Sequence, residues 1–348
     1  MKKLLGLGAS VLAVLLALEP ASSMKAAGEA LKMCGQTLLP SLFPFFVCAN
    51  VLIGSGMTAA FGRALHRPCR RLFGIGGEGA SAIFLGFISG YPAGAAVTCR
   101  LFSAGSITRT EAQRLLAFTN NGGPLFVIGV IGVGVYGRAE TGYLLLAAQT
   151  LAALTTGLCM RFYGREEHTG RRQTAPRFGD PIGDAVRTLL SLCGFVVFCA
   201  TVVAFLEKLG ILEMLRRLLV GMGMGVNTAT LLSRGIWEIT EAAGGGIAAL
   251  PAMAALLSFG GFSVFLQTLS LVRKAGLSIK SYAYGKLLST GFAAFYCRIL
   301  LAVFPLSQSV SLSIESKKAV LFGGYLGTAA LLSAAVYGLY VCLGKIRM

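Results

Sequence analysis

Glu238 and Glu241 lie one helical turn apart, with Thr240 between them, in a stretch that is otherwise apolar and rich in glycine. Carboxylates at membrane depth are costly and ordinarily face a cavity, a cation or a proton path, so Glu238, Thr240 and Glu241 could carry a coupling ion, H+ or Na+. The plainer alternative is a structural salt bridge to Arg234 or Arg298. A second group, Thr119-Asn120-Asn121-Gly122-Gly123-Pro124, sets amides and helix-breaking residues side by side at an apolar depth. With Ser89 these side chains could hold a polar ligand, while the broken helix supplies unpaired backbone N–H groups; otherwise the amides simply satisfy the break. The third group is Ser89-Gly90-Tyr91-Pro92-Ala93-Gly94, where Gly90 and Gly94 suit either ligand contact at a hairpin tip or close helix packing. Ser258, Gly260, Gly261 and Ser263 form a fourth, glycine-rich break and complete the candidate substrate-binding set. Irregular backbone at membrane depth is tolerated where it lines a cavity, which is how transporters build binding sites.

Composition fixes the solvent in which these groups work. Hydrophobic residues make up 55% of the 348 positions and charged residues 13%, with a mean hydropathy of +0.75; soluble domains carry about twice that charge fraction. The chain therefore reads as an all-α polytopic membrane protein. Its 31 Lys and Arg against 14 Asp and Glu give a net charge of +17, spread over short loops between apolar segments. The positive-inside rule accounts for that better than a nucleic-acid partner.

Windows of about 20 apolar residues predict about eight transmembrane helices, near 4–19, 38–57, 116–136, 142–162, 187–207, 247–272, 282–304 and 319–343. The stretches 79–98 and 219–243 are too short or too polar to cross and read as re-entrant helical hairpins. That reading keeps the basic loops 58–78, 99–114 and 161–187 on the cytoplasmic side, with Arg216, Arg217, Lys317 and Lys318 as exceptions near acids. Lys2-Lys3 followed by Leu4 to Leu18 and Ala21-Ser22-Ser23 also imitates a signal peptide, although a retained first span fits so hydrophobic a chain.

A repeat emerges: span 38–57, hairpin 79–98, spans 116–136 and 142–162, then span 187–207, hairpin 219–243, spans 247–272 and 282–304. The order is the same and the predicted orientations are opposite, an inverted-topology repeat of the kind that supports alternating access. Phe46-Val47-Cys48-Ala49 echoes Phe198-Cys199-Ala200, and Leu115-Leu116-Ala117-Phe118 echoes Leu256-Leu257-Ser258-Phe259. The chain thus divides into an N-terminal span and amphipathic segment (1–34), a first repeat (35–163), a basic cytoplasmic linker (164–186), a second repeat (187–305) and a C-terminal span (306–348).

Gly90-Tyr91-Pro92-Ala93-Gly94, Arg109-x-Glu111-Ala112, the run from Leu115 to Phe126 through Thr119-Asn120-Asn121, Glu238-Ile239-Thr240 and Leu257 to Ser263 together resemble the YlbJ family of sporulation integral membrane proteins. That family is grouped with the nucleoside-recognition or Gate-domain membrane proteins, relatives of concentrative nucleoside transporters. The resemblance covers roughly residues 35–305 and is most specific at Phe118-Thr119-Asn120-Asn121. It implies Gate-like repeats and movement of dipicolinate from mother cell toward forespore in an endospore-forming bacterium. The location implied is the bacterial cell membrane, and within it the outer forespore membrane. Nucleoside transport and a non-transporting role in membrane assembly or spore maturation are the alternatives.

Other patterns lack the context their chemistry needs. Gly74-x-Gly76-x-x-Gly79 and Gly132-x-Gly134-x-x-Gly137 have no strand–turn–helix unit around them. The nine cysteines contain no C-x-x-C pair, and the two histidines, His66 and His168, sit in arginine-rich loops. No catalytic constellation, metal site or cofactor is expected. The partners expected are a small-molecule substrate and membrane lipid, and a homo-oligomer is left open.

Overall fold

The computed structural model describes residues 10, 13–14, 16–55, 57–164, 180–239 and 249–306. All regular structure among them is helical, which bears out the all-α polytopic reading. Most of the predicted spans at 4–19 and all of that at 319–343 lie outside the described residues.

Helix α1 (Pro20–Met33) passes through a π-helical turn (Cys34–Leu38) into α2 (Leu39–Gly54). The predicted basic loop 58–78 is instead largely a helix, α3 (Met57–Phe73). Arg63, Arg67, Arg70 and Arg71 recur at helical spacing, so one face is basic and the other apolar, the pattern of a helix suited to a membrane surface. The chain then bends by 90° into the next helical run.

A polar lash holds that bend. Glu111 Oε1 accepts from Gly76 N at 2.6 Å, and its Oε2 accepts from Thr108 N at 2.8 Å. Arg114 donates to the carbonyls of Gly74, Tyr163 and Gly164. Buried backbone groups left by the turn are thereby paired, as burial requires.

Helices α4 (Ala80–Ser89) and α5 (Ala93–Ser103) form the first predicted hairpin. Next, α6 (Arg109–Phe118), capped by Thr108 and Glu111 in a capping box, is separated by 119–124 from a π-helical segment, Leu125–Val135. The predicted span 116–136 is thus two half-helices. Helix α7 (Ala139–Met160) ends the first half of the chain.

The second half opens with α8 (Pro181–Lys208), capped by Asp180, whose Oδ1 accepts from Gly183 N at 2.8 Å. Helices α9 (Ile211–Gly221) and α10 (Val226–Gly235) pack together around a turn at 222–225. Among the described residues the helix pair spans 211–235, and positions 240–243 of the predicted hairpin 219–243 lie outside them. Arg216 and Arg217 fix α9 by pairing with Glu213 at 2.6 and 2.8 Å, and hold its carboxyl down at about 2. Helices α11 (Leu250–Phe259) and α12 (Gly261–Lys274) are one predicted span broken at Gly260, and α13 (Lys280–Val303) follows.

Among the described residues, four helical stretches are long and apolar enough to cross a membrane: Ala139–Met160, Pro181–Lys208, Leu250–Lys274 and Lys280–Val303. The described helices of the two halves share part of one order, namely a first helix (α2, α8), an amphipathic helix (α3, α9), a short helix (α4, α10), a broken helix and a long helix (α7, α13), while α5 of the first half has no counterpart among the described residues of the second. Helices α1 and α2 pack on α8, while α7, α11 and α13 pack together on the other side. At one end Arg100 of α5 ties these parts together, donating to Asp184 at 2.8 Å and to Asn50, whose own amide donates to Pro181 O at 2.8 Å.

Candidate solute site

The first break is built from its own polar residues. Helix α6 stops where Thr119 turns its hydroxyl back to Leu115 O at 2.8 Å and Asn121 Nδ2 caps Phe118 O at 2.6 Å. Asn120 Nδ2 reaches across to Thr268 Oγ1 at 3.0 Å and Tyr282 OH at 3.4 Å. Gln149 of α7 donates to Gly122 O at 2.9 Å. Thr119, Asn120 and Asn121 are all fully buried, so these bonds satisfy groups that water does not reach.

The hairpin tip lies directly on this break. Gly90 has φ +85°, and a Cβ there would come within 2.6 Å of Gly123 N; one on Gly94 would come within 2.1 Å of Thr119 O. Only glycine permits that approach of backbone to backbone.

The second break repeats the device with different residues. Gly260 and Gly261 take φ +87° and +78° in succession, which ends α11 and starts α12. Phe262 N donates to Ile236 O at 2.9 Å and Ser263 N to Trp237 O at 3.1 Å, pinning the segment after α10 to the start of α12. Gln267 Nε2 donates to Ser263 Oγ at 3.2 Å.

Between the first tip, the segment after α10 and the α2–α8 pair lies a partly open cavity of about 60 Å³. Ser89, Gly90 and Tyr91 from the tip, Gly123, Leu125 and Phe126 from the first break, and Glu238, Val264 and Gln267 from the second line it, facing Leu42, Phe45, Leu192 and Val196. Among the described residues Ser89 Oγ and Tyr91 OH are buried without a hydrogen-bond partner. Buried polar groups in that condition are unusual.

The predicted site residues therefore separate. Ser89, Gly90, Tyr91 and Glu238 reach the cavity wall. Thr119, Asn120, Asn121 and Gly122 form the first break, with Gly94 of α5 packed against it, and Gly260, Gly261 and Ser263 form the second. Ser258, near the end of α11, shares a hydrogen bond with Ser289. Thr240 and Glu241 lie outside the described residues. Arg234 is not the partner of Glu238: it pairs with Glu207. Arg298 is exposed on α13.

Sequence reasoning missed Gln267, Thr268, Tyr282 and Lys286. The signal for Lys286 was present: a lysine in the predicted span 282–304 with Gly285 beside it and Ser289 one turn on. Its Nζ donates to Ser258 O at 2.7 Å and to Asn120 O, and the side chain is 2% exposed.

Apolar helices long enough to cross a membrane, with two helices broken in mid-course, define a multi-pass membrane protein. The chain is 30% identical over 318 residues to the sporulation integral membrane protein YlbJ of Bacillus subtilis (strain 168), covering 81% of this chain and 78% of that one. It belongs to the YlbJ family of sporulation integral membrane proteins. No family model matches the chain, and no solved structure matches it.

Proposed function

We propose that the protein is a secondary transporter that moves a small polar or anionic aromatic solute by alternating access between its two repeats, and that the solute is dipicolinate. The observation that carries this reading is the pair of buried, unpartnered hydroxyls, Ser89 Oγ and Tyr91 OH, on the wall of a cavity formed where the tip and both helix breaks converge. Apolar side chains of Leu42, Phe45, Phe126, Leu192 and Val196 offer an aromatic ring its complement. Gly123, Leu125 and Val264 bring the N-terminal ends of the second half-helices to the same wall, where the helix dipole favours a carboxylate.

At about 60 Å³ the cavity holds a few waters and not an aromatic diacid. Loading therefore requires the tip to move off the break, which is the motion alternating access supplies. Glu238 adds a constraint. A carboxylate at membrane depth on a cavity wall suits a proton or cation path, so solute entry is coupled to H+ or Na+ through it.

Purified protein in liposomes decides the matter. Labelled dipicolinate should accumulate inside when an H+ or Na+ gradient is imposed and should exchange with unlabelled dipicolinate without one. Accumulation of nucleosides instead would reassign the solute. Transport of neither, by protein that is folded and inserted, would overturn the transporter reading in favour of a membrane assembly role.

A further inference from the structure

Lys286 has no role in the cavity. It lies on α13, 2% exposed, between the ends of two half-helices. Asn120 follows the C-cap of α6, and Ser258 belongs to the last turn of α11. Their carbonyls are among those a helix terminus leaves without an internal partner, and Lys286 Nζ donates to both. The face of Tyr282 lies 5.7 Å from the same nitrogen. Among the described residues no carboxylate pairs with Lys286.

A buried ammonium without a carboxylate needs another source of negative potential. Each helix C-terminus carries roughly half a negative charge, so the ends of α6 and α11 together offer about one, matched by one ammonium. Secondary transporters place free cations at such half-helix C-terminal ends and unwound carbonyls. The oxygens are here too, with the Ser258–Ser289 hydroxyl pair adjacent and Asn120 Oδ1 buried without a partner.

We propose that Lys286 is a tethered cation: its ammonium fills the site that a free monovalent cation would take between the two helix breaks, and fastens those breaks to each other. It follows that this site draws on no external cation in the native protein. Removing the side chain down to Cβ leaves an oxygen-lined, negatively polarised space that a monovalent cation can enter.

The test reads thermal stability of purified protein, so it stands or falls separately from any uptake result. Any Na+ effect at Glu238 is common to wild type and variant, so the reading is the difference between them. Lys286→Ala should melt roughly 5 °C or more below wild type in N-methylglucamine, because two buried carbonyls lose their donor. Na+, or a small primary amine such as ethylammonium, should close at least half of that difference at equal ionic strength. A difference between Lys286→Ala and wild type that is the same in all three media would overturn the proposal. Should Lys286→Ala fail to fold, Lys286→Met and Lys286→Arg replace it. The proposal requires Met, which keeps length without charge, to be less stable than Arg, and Met as stable as wild type would sink it.

Discussion

Gly94 of α5 meets the carbonyl of Thr119 so closely that a Cβ on the glycine would sit 2.1 Å from the oxygen. A Cβ on Gly86 of α4 would likewise sit 2.2 Å from that oxygen. The hairpin is thus seated on the first break through backbone, with both arms pressing on one peptide group. Gly94→Ala must lift the hairpin from its seat and should cost on the order of 1–3 kcal/mol, the range for overpacking a tight site. Gly194→Ala on α8 has open space around it and should be neutral or slightly stabilising, because alanine is the better helix former. Melting both purified variants checks this, and equal stability would show that the close approach is not a constraint.

Tyr91 OH and Ser89 Oγ have no partner to lose. Tyr91→Phe and Ser89→Ala should therefore leave the melting temperature unchanged or raise it, since removing an unpaired buried polar group relieves a desolvation cost. Each should weaken solute affinity by about tenfold, the equivalent of one hydrogen bond at about 1.4 kcal/mol. Uptake kinetics measured beside melting curves separate the effects; a fall in stability with normal uptake would assign these hydroxyls to structure.

The breaks were legible in the sequence because Asn, Gly and Pro in an apolar run leave few other readings, and both fall where Thr119–Pro124 and Gly260–Ser263 placed them. Their contents were less legible. Nothing in the spacing of Asn120 distinguishes an amide aimed at a ligand from one bonded to Thr268, which lies 148 positions away. Helix α3 escaped because its arginines suggested a loop, although their spacing of three and four residues is that of a helix with one charged face. Lys286 escaped because hydropathy averages a single charge away, and only the fold brings it to the two carbonyls it joins.

Asn120 bonds Thr268 at 3.0 Å in a fully buried setting, which ties the first break to α12. Asn120→Ala and Thr268→Val should each lower stability by about 1–3 kcal/mol, because each strands a buried partner. The double variant should lose less than the sum, with a coupling of roughly 0.5–3 kcal/mol. A double-mutant cycle on purified protein measures that coupling. Additive losses would mean the two side chains act independently, and transport lost at normal stability would return Asn120 to the role of a ligand donor.

Among the described residues Glu238 is the one carboxylate on the cavity wall, beside Ser89 and Tyr91 and 3% exposed. Glu238→Gln keeps its size and hydrogen-bonding capacity but cannot gain or lose a proton, nor attract a cation by charge. If the residue carries the coupling ion, accumulation of solute against its gradient should collapse in Glu238→Gln while exchange of labelled for unlabelled solute continues, because exchange returns the binding site unchanged and needs no net ion movement. The direction of any change in affinity is also fixed. With the negative charge gone, an anionic solute should bind at least as well in the absence of the gradient, so half-saturation of exchange should stay the same or fall. A structural role predicts the opposite pattern, in which folded yield and melting temperature drop while accumulation per folded molecule is kept. Accumulation and exchange, measured on equal amounts of folded protein, separate these outcomes, and full accumulation by Glu238→Gln would remove this carboxylate from the coupling path.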